Sequence, residues 1–242
     1  MEILSNIYAI VLAGGHGKRM GNVERPKQFL EIGSKPIIVH TIEKLLIHNK
    51  FEKIVVAVPK AWLSHINDVV DKYIVNDKER IVTIQGGEER YDTIMNALEY
   101  IDEQFIIDDE TIILTHDSVR PFVSRRIIDE NIEVAKKYGA CDTVIPASDT
   151  IVESRDGEYI TSIPERKNMY QGQTPQTFKG KKLKNMLEKL TYDEKEKLTD
   201  ACKILTLNGE VVCLVEGDVS NIKITYPSDL RIANALIGEK EC

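Results

Sequence analysis

Short runs that are apolar at almost every position recur along the chain: Ile7-Tyr8-Ala9-Ile10-Val11, Ile54-Val55-Val56-Ala57-Val58, Ile81-Val82-Thr83-Ile84, Thr111-Ile112-Ile113-Leu114-Thr115 and Thr143-Val144-Ile145. Their spacing of roughly thirty residues is that of strand-helix-strand units. Helix-period stripes lie between them. Ile37, Ile38, Ile42, Leu45 and Leu46 mark one after Pro36, and Ile127, Ile128, Ile132, Val134 and Ala135 mark another that Gly139 would end as a C-cap. Strands without a polar face, alternating with helices, predict an α/β fold: a mostly parallel sheet with helices on both faces. Ligands of such sheets sit at the carboxyl ends of the strands.

The pattern changes near residue 148. Asp149–Ser154 and Glu158–Ile163 flank Arg155-Asp156-Gly157, which reads as a β-hairpin within an arm at about 148–170. A two-stranded ribbon is marginal alone, so the arm either embraces a second subunit or folds back on its own domain. Beyond it the pattern predicts helices near Lys181–Leu190 and Leu198–Leu205, strands at Val211–Val215 and Ile222–Thr225, and a closing helix after Pro227. No repeat or linker divides the 242 residues, so residues 1–242 read as a single domain.

Charge narrows the partners. With 39 acidic against 32 basic residues the net charge is −7, which argues against a nucleic-acid surface but allows a small anionic substrate where cations gather locally. Cys141, Cys202, Cys213 and Cys242 form no Cys-x-x-Cys pair and His16, His40, His48, His65 and His116 are scattered, so neither a zinc site nor a disulfide framework is expected. The first apolar run is only a strand long and lacks a basic leader. The expectation is a cytoplasmic protein without a membrane span.

The densest chemistry follows the first strand. Leu12-Ala13-Gly14-Gly15-His16-Gly17-Lys18-Arg19-Met20, with Pro26-Lys27-Gln28 behind it, is a glycine turn backed by cations, the means by which backbone N–H groups and positive side chains hold a triphosphate. It is not a Walker loop, because Arg19 stands where Ser or Thr would bind magnesium. Nor is it the dinucleotide fingerprint, because Met20 replaces the third glycine. Three further clusters follow strands or lie in one: Gly86-Gly87-Glu88-Glu89-Arg90 with Thr93, His116-Asp117-Ser118-Val119-Arg120, and Asn221-Ile222-Lys223. Asp117 is either a carboxylate for Mg²⁺ or a turn residue, and His116 fits a structural hydrogen bond better than a general base. With no Gly-x-Ser-x-Gly elbow and no Asp-x-Asp pair, neither covalent nucleophile nor glycosyltransferase metal motif is visible.

Taken in order, Leu-Ala-Gly-Gly-x-Gly-x-Arg-Met, Pro-Lys-Gln, Gly-Gly-x-x-Arg, His-Asp-x-x-Arg-Pro, Gln-Thr-Pro-Gln-x-Phe, Thr-Asp and Asn-Ile-Lys-x-Thr resemble the cytidylyltransferases of sugar-alcohol phosphates. That family contains the methylerythritol-phosphate and ribitol-5-phosphate enzymes. The resemblance implies a Rossmann-like nucleotidyltransferase fold, a homodimer joined through the β-arm, CTP as co-substrate and Mg²⁺ as cofactor. It implies that Arg19, Lys27 and Lys223 are the catalytic cations, that Leu12, Ala13, Gly14, Gly15, Gly87, Glu88, Arg90 and Thr93 surround the nucleotide, and that Asp117 holds the metal. Arg120, Thr150, Arg166, Thr174 and Thr199 would grip the acceptor. Three departures, Ser118-Val119, Met169-Tyr170-Gln171-Gly172-Gln173 and Ala201-Cys202-Lys203, resemble the ribitol-5-phosphate branch, which supplies CDP-ribitol for teichoic acid or capsule polymers. The alternative is the methylerythritol-phosphate enzyme of isoprenoid synthesis.

Overall fold

Every residue of the first strand is buried, and alternate residues enter different cores. Ile7, Ala9 and Val11 pack with one set of helices, while Tyr8, Ile10 and Leu12 pack with another. That two-sided burial is why the run has no polar phase and why the sheet must be covered on both faces. The computed structural model describes residues 6–15, 20, 25–191, 194–195 and 200–238. In chain order the strands are β1 (Ile7–Leu12), β2 (Glu31–Ile32), β3 (Lys35–Pro36), β4 (Lys53–Val58), β5 (Ile81–Gln85), β6 (Ile112–Asp117), β7 (Ala140–Pro146), β8 (Tyr170–Lys179) and β9 (Cys213–Glu216). The helices are α1 (Ile37–Leu46), α2 (Leu63–Tyr73), α3 (Arg90–Phe105), α4 (Arg125–Tyr138), α5 (Gly180–Glu188), α6 (Ala201–Leu207) and α7 (Pro227–Gly238).

The main sheet runs β5-β4-β1-β6-β8-β7-β9. It is parallel except for β8, which pairs antiparallel with both β6 and β7. Helices α1, α2 and α4 cover one face through Ile38, Ile42, Ile66, Val70, Ile127 and Ile132. Helices α3, α5 and α6 cover the other through Ile94, Leu98, Leu183, Leu187, Ile204 and Leu205. Connections from β1 lead outward to β4 and β5, then cross back to β6. The switch point therefore lies between β1 and β6, where Leu12 and Asp117 are paired at the strand ends.

Local chemistry sets the helix ends that matter here. At the start of α3, Glu89 and Asp92 form a reciprocal capping box. Ser124 caps α4, and Gly139 ends it in the left-handed region at φ +93°, as its position predicted.

The sequence-based expectation and the structure part at four places. No strand is expected over 170–179, yet the chain forms β8 there, although Pro175 and a polar run disfavour a central strand. Its β6 ladder stops at Gln176 and its β7 register shifts across this stretch, so the proline sits where pairing is interrupted. The expected strand at Ile222–Thr225 is irregular chain outside the sheet; Ile222 and Ile224 join a third small core with Ile32, Ile37 and Ala233, and the Ile224 N–H donates to the Val119 carbonyl. The hairpin contracts to one antiparallel bridge, Glu153–Ser162, with Val152, Tyr159, Ile160 and Ile163 exposed. Helix α6 starts at Ala201 rather than 198, and residues 196–199 lie outside the described part.

Because a Cβ at φ +93° meets its own backbone, Gly139→Ala should lower the urea midpoint by the equivalent of about 1 kcal/mol at unchanged m-value. An unchanged midpoint would show that the α4 terminus relaxes freely.

Candidate active site

A cleft of about 480 Å³ opens at the switch point. Leu12, Gly14 and Gly15 from the end of β1 form one wall, and Glu88, Arg90 and Thr93 from the start of α3 form another. Asp117 and Ser118 close the base, and Lys27, Lys223 and Thr225 complete it. Each of these side chains arrives through a local pattern. Ile222 and Ile224 pack into the third core, while the intervening Lys223, and Thr225 beyond it, line the cleft. Lys27 stands in a 3-10 turn, Lys27–Phe29, and is almost fully buried; its Nζ donates to the Ile224 carbonyl at 2.9 Å. The neighbouring Gln28 donates from Nε2 to the Ala13 carbonyl at 2.6 Å, tying the turn to the loop after β1.

Asp117 is the electrostatic centre. Arg90 Nη1 lies 2.9 Å from its Oδ1, while Lys223 Nζ and Arg120 Nε lie 2.7 and 3.7 Å from its Oδ2. Burial opposes ionisation of this carboxyl, but the charges of Arg90, Lys223 and Arg120 outweigh it and hold Asp117 far below the usual carboxylate range. Three cations share one carboxylate, a surplus of two positive charges at the base of a cleft in a chain whose net charge is −7. An anion entering the cleft meets side chains already gathered and partly desolvated.

Behind Asp117 a hydrogen-bonded relay fixes the turn. The Asp117 N–H donates to Thr174 Oγ1 at 3.1 Å, the Thr174 hydroxyl meets His116 Nδ1 at 3.0 Å, and His116 Nε2 lies 3.1 Å from the Arg120 carbonyl. These partners fit a neutral imidazole protonated on Nε2. Burial lowers the His116 pKa to about 4, against the smaller opposite effects of its hydrogen bond and of Asp117. Asn221 joins the relay by donating to the Thr174 carbonyl, and Arg120 Nη1 donates to the Asn221 carbonyl at 2.7 Å.

The expected site residues divide accordingly. Leu12, Gly14, Gly15, Lys27, Glu88, Arg90, Thr93, Asp117 and Lys223 meet at one cleft. Ala13 is buried with its N–H on the Ala57 carbonyl, so it supports the loop instead of facing the cleft. Gly87 also stands off the wall; a Cβ there would lie 2.0 Å from that of Asp92, so its glycine is required by the α3 capping box. Arg120 and Thr174 are buried behind the base, where they position Asp117. Thr150 and Arg166 are exposed at the root of the arm, where Arg166 and Lys167 line a second hollow with Pro146. Arg19 and Thr199 lie outside the described residues.

Asp117 fits Mg²⁺ in one respect: it is a hard oxygen donor, and this ion commonly takes one carboxylate together with substrate phosphates. Both its oxygens already hold cations, so it would serve as one arm of a nucleotide-bound set rather than as a preformed cage. The amide side chains that order the site, Gln28, Gln173 and Asn221, carry no role in the sequence reading. Each lies inside or beside a quoted motif, but its partner is remote along the chain, as for Asn221 with Thr174 and Gln173.

Residues 7–239 match the family model described as IspD, 2-C-methyl-D-erythritol 4-phosphate cytidylyltransferase. Among solved structures, the 4-diphosphocytidyl-2C-methyl-D-erythritol synthase of Anaerococcus prevotii is 29% identical, with 97% of each chain covered and a TM-score of 0.79. The 2-C-methyl-D-erythritol 4-phosphate cytidylyltransferase of Francisella tularensis is also 29% identical, covering 96% of this chain and 99% of its own, with a TM-score of 0.78. That of Thermus thermophilus is 27% identical, covers 96% and 98%, and has a TM-score of 0.71.

The buried imidazole carries a pH signature. The unfolded chain protonates His116 near 6.5 and the fold resists until about 4, so the unfolded state binds more protons between these values and this group's contribution falls as pH drops. The stability difference between wild type and His116→Gln should shift against the wild type by roughly 3 kcal/mol from pH 6.5 to 4, read by urea titration. A difference that stays flat would mean that His116 is already charged in the fold.

Proposed function

The chain belongs to the IspD family of cytidylyltransferases, and on that premise we propose that it transfers CMP from CTP to D-ribitol 5-phosphate, releasing pyrophosphate. A phosphate oxygen of the acceptor attacks the α-phosphorus, the bond to the β-phosphate oxygen breaks, and CDP-ribitol and pyrophosphate leave. The attacking group is already anionic near neutral pH, so little general-base help is needed. Alignment and charge stabilisation are the enzyme's task, and Lys27, Arg90 and Lys223 of the cleft supply positive side chains for it; Arg19, outside the described residues, would join them by the family resemblance. A divalent cation held by Asp117 and the triphosphate would neutralise charge on the phosphates. Lys223 is two-fifths exposed and, among the described residues, its amine pairs with Asp117, which leaves it able to turn to a phosphate oxygen.

One observation carries the choice of acceptor. Two of the three departures that resemble the ribitol branch are far apart in sequence yet meet, since Gly172 and Cys202 both flank Asp142, and the third, Ser118, lines the cleft. Scattered neutral differences have no reason to converge. The second reading, transfer to 2-C-methyl-D-erythritol 4-phosphate, draws support from the names of the similar structures and of the family model. With CTP and Mg²⁺, pyrophosphate should be released faster from D-ribitol 5-phosphate than from the methylerythritol phosphate; the opposite order would replace the first reading by the second.

The arm supports a homodimer. Its exposed Val152, Tyr159, Ile160 and Ile163 lack a core of their own, and Thr150 and Arg166 at its root lie off this chain's cleft, so a partner's arm would bring them to it. Lys27→Ala should slow turnover by about a hundred- to a thousandfold, and Arg166→Ala should weaken acceptor use. Dissociating and re-mixing the two variants should restore about a quarter of wild-type activity, because half the dimers then carry one intact composite site. Recovery no greater than that of the separate variants would place Arg166 in its own chain's site or outside both.

A further inference from the structure

Next to the cleft, on the face of the sheet that carries α3 and α6, lies a polar cluster with no part in the chemistry above. Gln176 on β8 is fully buried; its Nε2 donates to Asp142 Oδ1 at 3.0 Å and to Asp200 Oδ2 at 2.7 Å. Its Oε1 has no hydrogen-bond partner among the described residues. Asp200 caps α6 by accepting the Cys202 N–H at 2.7 Å, and ligand atoms of Asp142, Asp200 and Cys202 lie within 4.8 Å of one another. Both carboxylates are partly exposed. A Cβ on exposed Gly172 would stand 3.7 Å from Asp142 Oδ2, so the glycine leaves that oxygen uncovered.

The place of the cluster gives it a use. Gln176 is paired with both Asp142 and Thr115, two residues before Asp117 on β6, or roughly 7 Å along the strand. Arg120 acts electrostatically on Asp117 and on Asp142, linking the two groups. Burial, reinforced by Asp200, pushes the Asp142 carboxyl up to about 7 against Gln176 and Arg120, so near neutral pH it both donates and accepts. A partly exposed acid pair, held in place from behind by a buried amide, matches a chain of hydroxyls, each of which can donate and accept. A cation fits less well, because the Gln176 amide turns N–H groups toward both carboxylates.

We propose that Asp142, Asp200 and Gln176 form the hydroxyl-reading end of the acceptor site, with Asp142 and Asp200 touching the polyol and Gln176 positioning them. The acceptor phosphate would then lie on the cations around Asp117 and its carbon chain would run toward β7. This rests on the polyol-phosphate reading above and names the residues that select within it.

The test uses full-length Asp142→Asn and Gly172→Val, the second of which covers Asp142 Oδ2 without altering the cluster. Both are assayed for pyrophosphate release with whichever of the two polyol phosphates the wild type prefers, and for CTP affinity by calorimetry. The acceptor KM should rise about tenfold or more, the loss expected for hydrogen bonds to charged groups, with CTP affinity within about twofold of wild type. If Asp142→Asn fails to fold, Gly172→Val decides alone. Unchanged acceptor KM, or CTP affinity lost in parallel, overturns the inference while leaving the transferase reading intact. Mg²⁺ or Mn²⁺ binding without substrate that Asp142→Asn abolishes overturns it in favour of a metal site. A wild type that turns over neither acceptor overturns both readings together.

Discussion

The geometry of the cleft depends on one buried carboxylate. Asp117 ends β6 at the point where the sheet's connections diverge, and it gathers Arg90 from α3, Arg120 from its own turn and Lys223 from the segment before α7. Buried Arg120 without such a partner would be costly, and the buried carboxylate without its cations would be equally so. Asp117 thereby ties three separate chain segments to one point.

The relay behind Asp117 explains why β8 is inserted antiparallel beside β6. That strand brings Thr174 to the Asp117 N–H and to His116, and it brings Gln173 and Thr174 to Asn221. Each hydrogen bond of the relay lowers the cost of burying polar groups at the centre of a sheet. Desolvation keeps His116 neutral, which suits a residue that orders the turn through its two ring nitrogens and takes no part in proton transfer.

On the same face, the Asp142, Gln176 and Asp200 group extends the polar surface away from the cations and toward acidic and amide side chains. A substrate with a phosphate at one end and hydroxyls along its length has the same asymmetry. The exposed apolar residues of the arm are the counterpart at the level of assembly: surface that the chain does not cover by itself.

The alternation of doubly buried Ile and Val runs with amphipathic stripes was enough to declare a parallel sheet between two helical layers, because periodicity and burial are local consequences of composition. The same holds for Gly139, whose conformation follows from lacking a side chain. Motif order likewise groups Lys27, Arg90, Asp117 and Lys223, which share one cleft in the fold. Other assignments needed the fold. Whether Arg120 and Thr174 face substrate or stand behind the base, whether Gly87 serves a ligand or Asp92, and whether Ile222–Thr225 pairs as a strand are decided by partners far along the chain. Sequence carries the identity of a polar side chain, whereas its role depends on which groups share its desolvated surroundings, and only the folded chain brings those groups within hydrogen-bonding distance.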